Sequence, residues 1–232
     1  MTFNPAHAEE NEEAPPTWHH QVELGANGSS GNTQASQLHA GYSADYADDY
    51  DTWKFVSAYD RAESNDELSA KRFFADLKKE WLWPDIPWFG FMQGRYDNDD
   101  FKDWQYRVSA SAGVGYQHYK DDNWYVATRY GIGGNISRGD DYDVSTPELM
   151  LALDTKWHIN EIQSFDFTTA FYPDLDDAGE YRNLTALNWS IKLAEESNLA
   201  LKLGLTNEYN SSVEEGTDNN DFTYNFSLAW RI

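Results

Sequence analysis

The chain has 232 residues, no cysteine, and 40 Asp plus Glu against 17 Lys plus Arg, a formal net charge of −23. With 10 Trp, 15 Tyr and 12 Phe beside a mean hydropathy of −0.77, it is too aromatic for an acidic disordered chain and too acidic to grip nucleic acid through a basic surface. No stretch approaches the roughly 18 to 20 apolar residues of a membrane-spanning helix, and the missing cysteines remove disulfides, thiol nucleophiles and Cys-bound zinc together. A membrane protein built of strands stays open.

Residues 1–16, MTFNPAHAEENEEAPP, carry an acidic run and Pro15-Pro16 without apolar periodicity, so they read as a disordered acidic tail. Ala6-His7-Ala8 has the small-x-small form of a signal-peptidase site, with no basic segment or apolar stretch ahead of it. The domain is expected over 17–232.

From Trp18 onward the period is two, which puts large apolar residues on one face of each strand. Turn signals divide the chain into about twelve segments: 17–28, 33–47, 52–62, 67–82, 87–97, 103–119, 124–137, 146–159, 162–172, 181–194, 199–210 and 221–232. The fourth, ELSAKRFFADLKKEWL, also carries the charge pattern of an amphipathic helix, and the fifth fits either of two parities. In the sixth, Trp104, Tyr106, Val108, Ala110, Ala112, Val114 and Tyr116 oppose Arg107, Ser109, Ser111, Gly113 and Gly115. In the seventh, Trp124, Val126, Thr128, Tyr130 and Ile132 oppose Ala127, Arg129, Gly131 and Gly133. The alternation recurs in the eighth, with Leu149, Leu151, Leu153 and Trp157 against Met150, Ala152, Asp154 and Lys156. It closes the chain with Phe222, Tyr224, Phe226, Leu228 and Trp230 against Thr223, Asn225, Ser227, Ala229 and Arg231.

Segments of this length exceed the five or six residues usual in soluble sandwiches and match tilted strands crossing a bilayer. The expected fold is all-β: a closed antiparallel up-and-down transmembrane β-barrel of about twelve strands with a polar lumen. Bases on the small-residue face cannot share a dry core. Lys54, Arg107, Arg129, Asp154, Lys156, Asp166, Arg182, Lys192, Lys202, Glu208 and Arg231 are therefore expected to line the lumen, with Asp45 and Asp60 as further acidic partners. Leu201, Leu203, Phe226 and Leu228 are expected to point the other way, at lipid.

The odd-numbered connections tend to be longer (137–145, 173–180, 211–220) and the even-numbered ones tight, as in barrels with short periplasmic turns and long external loops. Trp18, Trp53, Trp81, Trp88, Trp124, Trp157 and Trp230 gather toward the short-turn end; Tyr96, Tyr106, Tyr181, Tyr209 and Tyr224 lie toward the long-loop end. Amphipathic rings prefer the membrane interface, so the two sets are expected to form aromatic girdles. Trp104 is placed at the long-loop rim.

Several segments, in their order and spacing over roughly 20 to 232, resemble the salt-induced outer-membrane protein family, a domain of unknown function. They are Gly31-Asn32-Thr33, Tyr96-Asp97-Asn98-Asp99-Asp100-Phe101 leading into Tyr106-Arg107, Ala112-Gly113-Val114-Gly115-Tyr116, Gly131-Ile132-Gly133, and Asp221-Phe222-Thr223-Tyr224 on to Leu228. The resemblance implies a bacterial outer-membrane barrel with no assigned reaction or ligand, and so no catalytic residues to carry over. One departure is the end, Trp230-Arg231-Ile232, where such barrels usually finish on an aromatic residue read by the assembly machinery.

No catalytic, cofactor or metal site is expected. His39 shares its face with Ser43 but not Ser36, and no helper acid follows from the spacing. His19-His20 lacks a third ligand, and Asp97-Asn98-Asp99-Asp100 and Asp174-Leu175-Asp176-Asp177-Ala178-Gly179 miss the calcium-loop spacing. The expected partners are outer-membrane lipids, lipopolysaccharide and the barrel-assembly machinery. The expected role is structural or stress-related, with narrow passive permeability; an outer-membrane lipid hydrolase and a soluble secreted barrel binding a glycan or lipid are the alternatives.

Overall fold

The computed structural model describes residues 17–29, 35–102, 104–141, 143–213 and 218–232; the 1–16 tail and the Gly31-Asn32-Thr33 segment lie outside them. Alternation of residue size along the chain becomes twelve strands: β1 (His19–Ser29), β2 (Ala35–Ala47), β3 (Asp51–Ser64), β4 (Glu67–Leu82), β5 (Trp88–Asp99), β6 (Tyr106–Lys120), β7 (Trp124–Arg138), β8 (Asp143–His158), β9 (Gln163–Pro173), β10 (Tyr181–Lys192), β11 (Leu199–Asn210) and β12 (Asn220–Arg231). Each pairs antiparallel with its chain neighbours, and β12 returns to β1 through Gln21↔Arg231 and Leu24↔Leu228, closing the barrel. There is no helix among the described residues. The charge pattern of 67–82 is consumed by a strand: Arg72, Phe74, Asp76, Lys78 and Glu80 face inward, in register with Asp60, Ala58, Val56, Lys54 and Thr52 of β3.

Closure gives the sheet an inside and an outside. Phe226 is 59% exposed, while Arg129 is 2% exposed. Leu201 and Leu203 share the outward face through their register with Leu228 and Phe226. The greasy side of the sheet is the barrel's exterior, the opposite of a soluble barrel.

Three turns at one end use the same device. Asp48 Oδ1 accepts the amides of Tyr50 and Asp51 at 2.8 and 2.7 Å; Asp121 Oδ1 accepts those of Asn123 and Trp124 at 2.9 and 2.6 Å; Asn160 Oδ1 accepts those of Ile162 and Gln163 at 3.1 and 2.9 Å. A short side chain that mimics a backbone turn lets these connections stay tight. At the other end the β9–β10 and β11–β12 connections, 174–180 and 211–219, are the longest, but the connection expected over 137–145 shrinks to 139–142 because the strands extend into it, and β3 and β4 join through Asn65 and Asp66 alone, both at positive φ (53° and 64°), the pair of left-handed residues a two-residue hairpin requires.

Two sequence expectations change. β5 settles its parity with Phe89 and Phe91 inward, 3% and 1% exposed, and Trp88, Met92 and Tyr96 outward. The lumen is therefore not polar throughout. Trp104 precedes the first residue of β6 and is buried, so it does not stand on the rim: the Arg107 guanidinium lies 4.2 Å from its ring, and this cation–π contact draws the indole in.

Candidate functional site: the lumen

Strand pairing fixes which residues can meet inside. Toward the long-connection end, Arg107 of β6 binds Glu208 of β11 at 2.7 Å and Ser137 of β7 at 3.0 Å. Arg182 of β10 meets Glu148 of β8 at 3.3 Å and covers the Tyr172 ring at 4.3 Å. Arg95 is clasped by Asp97 through Nε and Nη2, at 2.9 and 2.7 Å, and covers Phe74 at 4.3 Å. Arg72 Nη2 donates across the barrel to Thr223 of β12 at 2.5 Å, and Lys102 pairs with Asp221. Flat guanidinium groups suit this setting, since those of Arg107, Arg182 and Arg95 each lie over an aromatic ring while an edge satisfies a carboxylate.

Toward the short-turn end, Arg129 grips Asp154 at 2.6 and 3.2 Å and Gln93 at 2.7 Å, and Gln93 in turn donates to Asp76 at 2.7 Å. Lys202 binds Glu23 at 2.6 Å, and Gln21 and Ser227 donate to the same carboxylate. His39 holds Asp60 through Nδ1 at 2.7 Å and turns Nε2 toward Glu23 at 3.9 Å. Both its nitrogens thus face carboxylates.

Between these polar groups lies an apolar plug: Phe89, Phe91, Ala127, Met150, Ala152 and Ala170, flanked by Leu82, Tyr125 and Tyr172. Glycines on the adjoining strands β6 and β7 make the room. A Cβ built at Gly115 stands 2.1 Å from the Phe89 ring, and one at Gly131 stands 2.9 Å from Phe91. The Arg129 guanidinium lies 5.3 Å from the Phe91 ring, so the apolar cluster and the ion pair are contiguous.

Of the remaining residues expected in the lumen, Lys54, Lys156 and Asp166 sit on the inward faces of β3, β8 and β9, and Lys192 and Arg231 are exposed at the short-turn mouth. The aromatic residues expected in the girdles fall on the outward faces of their strands, and Trp18, just ahead of β1, lies tilted against Tyr46. Trp124 stacks on Trp157 at 4.9 Å, Tyr181 on Tyr209 at 5.3 Å, and Trp88 meets Tyr116 edge-on at 5.0 Å. Trp53 and Trp81 flank Lys79, whose ammonium also pairs with Asp51 at 2.9 Å; Tyr96 packs on Phe73. Trp230 and Tyr224 are exposed, and Tyr106 is half-buried. In the β9–β10 connection, carboxylates of Asp174, Asp177 and Glu180 come within 4.8 Å of one another, but Asp174 Oδ1 is already taken by the amides of Asp176 and Asp177.

The plug and the His39–Asp60–Glu23 chain escaped the sequence reading. The signal for the first was present: two apolar faces on β5 opposite alternate glycines on β6 and β7 leave room for one face to turn inward.

Fold and lumen together define a closed twelve-stranded antiparallel β-barrel with an apolar exterior and a charged interior. Residues 22–231 match the model of DUF481, described as a protein of unknown function, and the chain belongs to that family. No curated protein matches it in sequence. Among solved structures it is similar to the NanC porin, at 11% identity over 91% of this chain and 98% of that one, with a TM-score of 0.54; at this identity the likeness is one of fold. It is also similar to the translocator domain of the autotransporter NalP from Neisseria meningitidis, at 10% identity over 96% of this chain and 89% of that one, with a TM-score of 0.42.

Proposed function

We propose that this protein is a bacterial outer-membrane barrel that stands in lipid by its apolar exterior and passes only small solutes through a narrowed, charge-lined lumen. The observation that carries this reading is the inversion of sides: exposed Phe226, Leu228 and Ile132 without, and buried Arg129, Arg107 and Arg182 within. Exposed apolar area of this extent would drive a soluble barrel to aggregate, whereas hydrocarbon removes the penalty. Twelve strands exceed the eight that side chains fill and fall short of the sixteen of open porins; here the plug and the Arg107–Glu208 bridge take up much of the surplus. Insertion by the barrel-assembly machinery, contact of the outer rim with lipopolysaccharide and a role in the response to salt belong to the same proposal.

Folding the protein in detergent micelles and running it unboiled and boiled on a denaturing gel tests the membrane part. A shift between the two is expected, and folding without detergent sinks it. Planar-bilayer recording tests passage: small, steady conductance steps are expected, and silence from heat-modifiable protein leaves only a structural role.

A further inference from the structure

The seam that closes the barrel is paired along only part of its length. β1 pairs with β2 from His19 to Ser29, and β12 pairs with β11 from Asn220 to Trp230. Between β1 and β12 the register runs from Gln21↔Arg231 to Leu24↔Leu228 and stops. A Cβ built at Gly25 stands 2.4 Å from the carbonyl oxygen of Phe226, so the two strands still touch at this glycine. Among the described residues, none of β1 beyond Leu24 has a partner on β12. The stretch Gly25–Ser29 measures about 16 Å at roughly 3.3 Å per residue. It lies toward the long-connection end. Beside it Phe226 and Phe222, 59% and 63% exposed, face outward on either side of the girdle residue Tyr224.

What holds this half of β12 comes from inside the barrel. Thr223 accepts from Arg72 of β4 at 2.5 Å, and Asp221 pairs with Lys102 of the β5–β6 connection. Asn225, also on the inner face, has a buried Oδ1 without a hydrogen-bond partner. Unpaired strand edges are not tolerated against lipid; at membrane depth they persist only where they line a water-filled cavity. The free edges of Gly25–Ser29 and Asp221–Phe226 therefore meet lumen water, or the polar part of a molecule lodged between them.

We infer that the β1–β12 seam is a lateral gate, through which a single-chain amphiphile with an uncharged, hydroxyl-bearing head passes between the outer mouth of the lumen and the outer leaflet. The chain lies outside, along Leu24, Phe222 and Phe226. The head reaches inside, where Asn225 Oδ1 accepts a hydroxyl proton and the free backbone edges supply further donors and acceptors. An anionic head finds no surplus of positive charge: Arg72 stands between its cross-strand neighbours Asp60 and Asp99, and Lys102 is taken by Asp221. Phe89 and Phe91 stand near the short-turn start of β5, so the route leaves the lumen before the plug. The inference rests on the reading of the apolar exterior as lipid-facing, and not on conductance along the barrel axis.

Two measurements on the full chain in lipid nanodiscs test it. Residue-resolved amide hydrogen exchange compares alternate amides of Asp221–Phe226: those aimed at β1 should exchange about tenfold or more faster than those aimed at β11, whose ladder must open first. Equal protection overturns the open seam. The probe for passage is a monoacylglycerol carrying a diazirine on the first carbons of its chain. On illumination, label is expected on the inward Thr223 and Asn225 as well as on Phe222 and Phe226; label confined to the outward residues, the mark of surrounding lipid alone, overturns the gate. Because the chain has no cysteine, Ala26→Cys/Phe226→Cys staples the open half, with Val22→Cys/Trp230→Cys in the paired half as control. Oxidation should remove the label from Thr223 and Asn225 in the first variant and leave it in the second. Inward label that survives the first staple overturns the gate. Any of these failures in a heat-modifiable barrel leaves the membrane reading standing, whereas folding without detergent removes that reading itself.

Discussion

The guanidinium of Arg107 on β6 reaches the carboxylate of Glu208 on β11 at 2.7 Å, joining walls of the barrel that four strands separate. Pairing along the sheet fixes neighbours only, so this bond resists flattening of the barrel in a way no ladder hydrogen bond does. Arg107 also covers Trp104 and donates to Ser137, which holds the guanidinium in place when the carboxylate is removed.

Glu208→Gln should therefore cost on the order of 3 kcal/mol, because a buried guanidinium loses its counter-charge. Arg107→Met/Glu208→Met should cost less than that single change. Urea unfolding in micelles measures both; equal or greater loss in the double variant would show that the pair itself stabilises the barrel, beyond the penalty of a stranded guanidinium. Conductance should rise in the double variant as the bridge across the lumen is lost.

Gly115 and Phe89 supply a second coupled pair. A Cβ at Gly115 collides with the Phe89 ring at 2.1 Å, so Gly115→Val should destabilise by about 1–3 kcal/mol through overpacking. Phe89→Ala alone should cost about 3 kcal/mol by opening a cavity. Combined, the two should cost less than their sum, since the valine fills space the ring vacates. Additive losses in a micelle unfolding series would count against the glycine wall as the seat of the plug.

Strand count, closure and sidedness were legible because a half-buried strand writes its two faces at alternate positions. β4 shows how far that goes: its residues satisfy a helical charge pattern, yet Phe73, Leu77 and Trp81 fall on one strand face and Arg72, Lys78 and Glu80 on the other. β5 shows the limit, since both its faces are apolar and only the glycines of β6 and β7 decide which turns inward. Trp104 marks another, because parity runs smoothly through a residue that has left the strand. Parity also assigned Arg107 and Glu208 to the inner face without saying that they meet. Which residues oppose one another across the lumen depends on strand count and stagger together, and neither is local.

Phe226 tests the exterior. It is 59% exposed, well inside β12, and in lipid Phe226→Arg should cost about 2–4 kcal/mol, the penalty for a guanidinium near the bilayer midplane. The fraction folded into vesicles at a set urea concentration reads this, with Phe226→Leu as a control expected to fold almost as well as the native chain. A soluble barrel predicts the opposite, a better-behaved protein once an exposed ring becomes a charge.

Asp121 ties the β6–β7 turn to acid. The Tyr119 hydroxyl donates to its carboxylate at 2.8 Å, and the amides of Trp124 and Asn123 donate at 2.6 and 2.9 Å; these bonds, the tyrosine's foremost, hold the carboxyl below its ordinary value of 3.8. Because the folded form binds its proton less readily than the unfolded form, the turn's contribution is complete above that ordinary value and fades as pH falls through the lowered one. Asp48 follows the same rule, with Tyr46 as its hydroxyl donor at 2.7 Å. At neutral pH, Asp121→Ala should unfold in urea before the native barrel, and the gap between their midpoints should narrow in acid. A gap unchanged down to pH values where carboxylates are protonated would mean that the turn owes its stability to backbone geometry instead of to the charged side chain.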